Sequence, residues 1–304
     1  MKELPPIRAT LAQLRTFEAV ARLGGVGRAA RSLHLAQPTV STQMRELARA
    51  VGLDLFAPQG RGIALTDEGE LLLGVARDLF ARWLRFEEDA ADRRGMHSGR
   101  LKIAAVTTAE YFLPDLLGPF SREWPGIEIE LAVENRDAVV KRLEQGDDEL
   151  AVMMLPPASL PLERWPFLAN PLVVVAPLGH PLVGRKRVAI ERLISEPLLA
   201  REPGSGTRRA ADEFLAERGL QWPPRMALGS NEAIKHAVRA GLGLGVLSRH
   251  TLGEEPARDG LAILSVRGFP IRRMWHLVWR RDRRLSRPAV AFRDDLRRRL
   301  TGRR

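Results

Sequence analysis

The feature that most constrains this chain is a change of period near residue 100. Before it, apolar residues recur at helical spacing; after it, short apolar runs of strand length alternate with helical segments. Leu101–Val106 reads as a strand, followed by a helix to about Phe120, a strand at Ile127–Val133, a helix from Asp137 and a strand at Glu149–Met154. That order is βαβαβ, which demands a mostly parallel sheet. A second such run passes through Leu172–Ala176, Pro197–Arg201, a helix after Thr207, Met226–Leu228, a helix after Ser230 and Leu244–Leu247. A strand at Arg273–Trp279 and a final helix return to the first unit. Two α/β lobes joined by crossing strands enclose a cleft, and ligands in such sheets sit at the carboxyl ends of the strands.

The first hundred residues read differently. Leu11, Leu14, Phe17 and Ala21 mark a helix that Gly24-Gly25 stops. A short Ala-rich helix, about Gly27 to Leu33, is separated by His34-Leu35-Ala36 from a third that starts near Gln37-Pro38 and buries Val40, Met44 and Leu47. This is a helix-turn-helix, about residues 26–45. Leu53–Leu65, with Pro58, Gly60 and Gly62 between apolar segments, reads as a β-wing. Thr66 then caps a long helix whose stripe Leu72, Val75, Leu79, Trp83, Phe86 is nearly heptad-spaced. A partner copy of the same helix is the natural cover for it; the alternative is packing on its own winged domain. The division is therefore a winged domain at 1–66, a linker and dimerisation helix at 67–95, and a two-lobed domain at 96–304. Lobe I takes about 96–166 and 266–304, and lobe II about 167–265.

Charge distribution narrows the partners. Residues 1–65 carry nine Lys and Arg against four Asp and Glu, and residues 266–304 carry fourteen against three, so the middle of this +11 chain is net negative. A basic end on an acidic body suits a polyanion partner. We read the Arg-rich C-terminus as a solvated helix end rather than a second phosphate contact. The third helix turns Gln37, Thr39, Ser41, Thr42 and Arg45 outward, with Pro38 beside them, presenting short polar groups where base edges of double-stranded DNA are reached. Arg28, Arg31 and Arg45 are candidates to grip phosphates, and Arg61 serves the wing. A three-helix bundle with a solvated polar face is the plainer reading of the same spacing.

An anion site is suggested in the two-lobed region. Gly204-Ser205-Gly206-Thr207 opens a helix just after Arg201, where free N–H groups, hydroxyls and the helix dipole favour carboxylate or phosphate. Thr107 and Thr108 open another helix after a strand, and Asn231 follows Ser230 at a third, so three helix starts converge on one ligand. Simple capping is the ordinary explanation of each taken alone. Gly241-Leu-Gly-Leu-Gly245 follows a helix and precedes a strand, the reverse of a dinucleotide fingerprint, and reads as a helix stop.

These motifs carry a resemblance. Arg28 to Leu47, with Leu55-Phe56 and Leu65-Thr66-Asp-Glu-Gly69, resembles the N-terminal domain of LysR-type regulators, where Ala-Ala, Leu-x-Leu-x-Gln-Pro and Leu-Thr-x-x-Gly recur in this order. Phe167–Pro177, Arg201–Arg208 and Gly229–Lys235 look like the branch that activates Calvin-cycle (RuBisCO) carbon-fixation operons. The resemblance implies a winged helix-turn-helix joined by a linker helix to a periplasmic-binding-protein-like effector domain. It also implies a homodimer paired into a dimer of dimers, an activator that meets RNA polymerase, and an inducer such as a phosphorylated sugar or a reduced nicotinamide nucleotide. Three places depart from the family pattern. Ala36 stands where Ser or Thr is usual before Gln-Pro, Ala57-Pro-Gln59 replaces a more charged wing, and Met154-Leu-Pro-Pro157 replaces Gly-Arg-Pro-Pro.

Other classes fare worse. The six histidines, His34, His97, His180, His236, His250 and His276, lack metal-ligand spacing, and there is no cysteine, nucleophile elbow or P-loop, which argues against an enzyme. No cofactor or metal is expected. No apolar run approaches the roughly 18 residues of a membrane span, so no membrane partner is expected. Met1–Thr10 has no apolar signal core, which separates the chain from exported solute-binding proteins and favours the cytoplasm. A LysR-type regulator of another pathway, with another effector, is the nearer rival.

Overall fold

The computed structural model describes residues 8–59, 62–92 and 99–301, and the chain divides into two compact units, Met1–Glu87 and Glu88–Arg304.

In the first unit, α1 (Leu11–Leu23) is closed by a Thr10–Gln13 capping box at its start and by Gly24 in the left-handed region at its end. Next come α2 (Val26–Leu33), α3 (Gln37–Val51), the antiparallel pair β1 (Phe56–Gln59) and β2 (Gly62–Leu65), and α4 (Asp67–Asp92). Phe17, Val40 and Leu47 are fully buried, and Phe17 meets Phe56 edge-on at 5.4 Å, so the three helices and the wing share one apolar centre. The buried hydroxyl of Thr16 donates to Gln43 Oε1 at 2.6 Å and fixes the rotation of α3 on α1.

The Leu-Thr-x-x-Gly segment has a mechanical reason. Thr66 Oγ1 accepts from Gly69 N at 3.0 Å while donating to the Asp54 carbonyl at 2.7 Å, so one hydroxyl caps α4 and ties it to the end of the helical core. Gly69 is required because a Cβ there would lie 2.2 Å from the Leu55 carbonyl oxygen, itself held by Thr66 N. Two faces of α4 are apolar. Leu73 and Ala76 are buried and Leu72 and Phe80 pack on the same core, whereas Leu71, Val75, Leu79, Trp83 and Phe86 are 41–73% exposed. Leu72, expected on the seam, thus belongs to the packed face, and Leu71 stands on the open one.

In the second unit, β3 (Gly99–Val106), a 3-10 turn (Thr107–Tyr111), α5 (Leu113–Glu123), β4 (Ile127–Glu134), α6 (Arg136–Gln145) and β5 (Leu150–Met153) form the first βαβαβ run. After β6 (Leu162–Pro177) and the short α7 (Ile190–Leu193), the second run is β7 (Leu198–Arg201), α8 (Gly206–Ala216), β8 (Pro224–Leu228), α9 (Asn231–Arg239) and β9 (Leu244–Ser248). Then follow β10 (Leu261–Ile263), β11 (Ile271–Arg280) and α10 (Arg287–Thr301).

The sheet order is β4-β3-β5-β11-β6-β9-β7-β8, with β10 on β6. Each outer triplet, β4-β3-β5 and β9-β7-β8, is parallel, and antiparallel β6 and β11 cross between them. The carboxyl ends of both parallel sets therefore face a common cleft. Phe120, Phe292 and Trp275 are buried in the core that α5, α10 and β11 share. Among the described residues no helix is long and apolar enough to cross a membrane.

Two glycines of α4 give a paired test. Gly69→Ala should destabilise the first unit by about 1–3 kcal/mol despite the better helix former, because the new methyl must displace a hydrogen-bonded backbone. Gly74→Ala, on the same helix with nothing within 4 Å, should be stabilising by up to about 1 kcal/mol. Urea denaturation of the two variants checks the difference in sign.

Candidate functional site

The first candidate surface is α3. Gln37, Pro38, Thr39, Thr42 and Arg45 are exposed and Ser41 is half-buried, while Val40 and Leu47 on the opposite side are fully enclosed. Ala36 is the N-cap of α3 and supplies no side-chain acceptor, so the first-turn amides of this exposed helix start have no side-chain cap. Arg31 is exposed, and Arg45 donates to the Thr42 hydroxyl at 3.3 Å. Arg28 is differently engaged: its guanidinium donates to the Leu23 carbonyl and, at 2.7 Å, to the Gly24 carbonyl. It closes the end of α1, so its expected grip on phosphate competes with this bond. Arg61 lies outside the described residues.

The second candidate is the cleft of the second unit. Thr107 and Thr108 from the end of β3, Asn135 and Arg136 from the start of α6, and Ser205 and Thr207 from the start of α8 line it, with Trp275 of β11. Thr108, Arg136, Ser205 and Thr207 are all at least nine-tenths buried. Ser205 is the N-cap of α8 without a side-chain capping bond, so the N-terminus of this eleven-residue helix reaches the cleft with its amides uncapped. Gly204 adopts φ +88°, and its carbonyl accepts from Asp137 N at 3.4 Å, which brings the starts of α6 and α8 together.

Arg201 does not line this cleft; it lies beside it, bonded to Thr107. Its side chain is 1% exposed; Nε and Nη2 donate to Glu202 at 2.8 and 3.0 Å, Nη1 to Asn231 Oδ1 at 2.6 Å, and Nη2 to Thr107 Oγ1 at 3.0 Å. Asn231 Nδ2 in turn donates to Thr108 Oγ1 at 3.4 Å. Most of its donors are spent on protein, so Arg201 acts by clasping the two strand ends rather than by offering a free cation. The cation the sequence reading passed over is Arg136, whose Nε donates to the Leu155 carbonyl at 2.7 Å and Nη1 to Asp137 at 2.9 Å. Residue type at a helix start gave no signal for it, because only tertiary burial distinguishes it from a solvated arginine.

Tyr111 extends the clasp. Its hydroxyl donates to Glu232 Oε1 at 2.5 Å, and Lys235 Nζ lies 2.6 Å from the same oxygen. Burial and the Glu232 carboxylate push the phenol well above its ordinary range. Burial pushes Glu232 up, but hydrogen bonds from Lys235 and Tyr111 outweigh it and hold the carboxyl low. At neutral pH the pair is therefore a neutral donor on a charged acceptor.

Known proteins decide what this combination is. Residues 11–70 match the bacterial regulatory helix-turn-helix protein family of lysR type, and residues 94–301 match the LysR substrate binding domain. The chain is a LysR-type regulator. It is 42% identical over 288 residues to the HTH-type transcriptional activator CmpR of Synechocystis, covering 95% of each chain. To the RuBisCO operon transcriptional regulator of Acidithiobacillus ferrooxidans it is 43% identical, over 95% of this chain and 93% of the other. The solved regulatory domain of CcmR from Synechocystis in complex with 2-PG is 41% identical, with a TM-score of 0.65 over 67% of this chain and 99% of that one. The regulator is thus a DNA-binding protein with a small-molecule domain rather than an enzyme.

Removing the clasp should cost stability. Arg201→Met leaves Glu202 and Asn231 facing each other without their cation, a loss of about 3 kcal/mol in urea denaturation. Arg100→Met, which breaks a pair with Glu128 whose side chains are 52% and 68% exposed, should change stability by less than about 0.5 kcal/mol.

Proposed function

We propose that this regulator is a cytoplasmic, ligand-controlled activator of a carbon-fixation operon, binding promoter DNA through α3 and a small anionic metabolite through the cleft. The operon assignment rests on the RuBisCO operon regulator and its 43% identity across nearly the whole of both chains. The ligand class is supported by the cleft itself, where Arg136, five hydroxyl and amide side chains and an uncapped eleven-residue helix meet. The related domain's complex with 2-PG points the same way. Met154 and Leu155 line this cleft, so its wall is apolar there.

In this reading Gln37, Thr39, Ser41 and Thr42 meet base edges and Pro38 sets the first turn of α3 against the DNA. Arg31, Arg45 and, from the wing, Arg61 meet phosphates. The exposed stripe of Leu71, Val75, Leu79, Trp83 and Phe86 on α4 is the dimer seam, because an apolar face of this length needs a partner and a second copy supplies the same face. Thr107, Thr108, Gly204, Ser205, Thr207 and Asn231 surround the effector, held in place by Arg201. Ligand binding favours one arrangement of the paired dimers on DNA, which is how it controls transcription with RNA polymerase. The domains run 1–66, 67–95 and 96–304.

The test is a mobility shift on the intergenic DNA beside the regulator's own coding sequence, with unrelated DNA as competitor. Arg45→Ala should weaken binding to all sequences and lower the slope of log affinity against log salt by about one. Gln37→Ala should keep the salt slope and lose about 1–3 kcal/mol of discrimination at one base position. Failure of the wild-type protein to outlast unrelated competitor DNA contradicts the reading.

A further inference from the structure

Trp275 is 1% exposed, and its indole Nε1 has no hydrogen-bond partner among the described residues. A buried N–H left in this state is costly, and native proteins leave few of them. Its surroundings are aromatic: the Phe112 ring centre lies 5.2 Å away and that of His250 6.5 Å away, so packing orients the ring without using its donor. Trp275 also lines the cleft that Arg136 and the uncapped start of α8 share. It sits opposite a bulge of β6, where Phe167 is the extra residue between Leu168, paired with Trp275, and Pro166, paired with His276.

We propose that the indole N–H of Trp275 donates a hydrogen bond to the bound effector, and that the effector is therefore a compact anion with acceptor atoms on more than one side. This rests on the cleft being the effector site. One group of the ligand meets Arg136 and the α8 amides; a second acceptor, turned toward the sheet, meets Trp275. Arg136 comes from lobe I, α8 from lobe II and Trp275 from a crossing strand, so a single ligand engages all three. Phosphate alone satisfies the first group, and a ligand with a further acceptor satisfies both.

The experiment is calorimetric titration of the full-length protein with 2-PG and with inorganic phosphate, for wild type and Trp275→Phe. Phenylalanine keeps most of the ring's apolar bulk and removes the donor. The expected result is 2-PG binding weakened about tenfold in Trp275→Phe, with a much smaller effect on phosphate, beside the modest loss of thermal stability that a smaller buried ring brings in any case. A merely structural tryptophan would give the lower melting temperature with unchanged 2-PG affinity, and that would overturn the proposal. A second reading needs no variant: in protein labelled with 15N at its six tryptophans, one indole N–H resonance should move on saturation with 2-PG. Binding that leaves all six in place overturns the role of Trp275 while keeping the effector site. No binding of either probe to wild type removes the effector-site reading and the proposal with it.

Discussion

Arg201 carries a charge into the protein interior, and the architecture of the ligand domain follows from how that charge is held. A guanidinium 1% exposed to water needs its donors satisfied by protein. Glu202 lies beside it, Asn231 comes from the start of α9, and Thr107 follows β3. The last of these belongs to the other parallel triplet, so satisfying one side chain requires both strand sets to end at the same place. The cleft lies beside that junction, and the Tyr111–Glu232 bond adds a second tie between the turn after β3 and the start of α9. What the cleft offers a ligand is then the set of donors that the junction does not consume: Arg136, the start of α8 and the hydroxyls around them.

Much of this was legible in the residues. Thr10, Gly24 and Gly52 bound the first and third helices where capping chemistry says they should, and the Val40–Leu47 spacing placed α3 with the correct face inward. The alternation of strands and helices after residue 100 gave both βαβαβ runs. The first half of β6 was missed because Pro166 and Pro171 argue against a strand; over Leu162–Pro171 this strand is paired only with β11, and an edge tolerates proline. Leu72 and Leu71 exchanged places because one residue turns a helix by about 100°, which a stripe of mixed three- and four-residue steps does not resolve.

In the candidate cleft the sequence indicated helix starts but not what each side chain bonds to. Thr107, Thr108, Ser205, Gly206 and Thr207 line one cleft, whereas Asn231 is bonded to Arg201 and Thr108 beside it, Arg201 is engaged with protein groups, and Arg28 turns back on the end of α1. Arg136 and Trp275 carried no local signal at all, since what marks them is burial and, for Trp275, a donor without a partner. Sequence spacing reports which backbone ends meet; it does not report which polar atoms are used up when they do.

The central claim is that occupancy of the cleft changes the protein's hold on DNA. Hydroxyl-radical footprinting of the full-length protein on its own upstream intergenic DNA, with and without 2-PG, tests it most directly. The account predicts protection of two half-sites about a helical turn or a whole number of turns apart, with the extent or spacing of protection altered by 2-PG. Protection identical in both conditions, at ligand concentrations where calorimetry shows the cleft to be full, would contradict it.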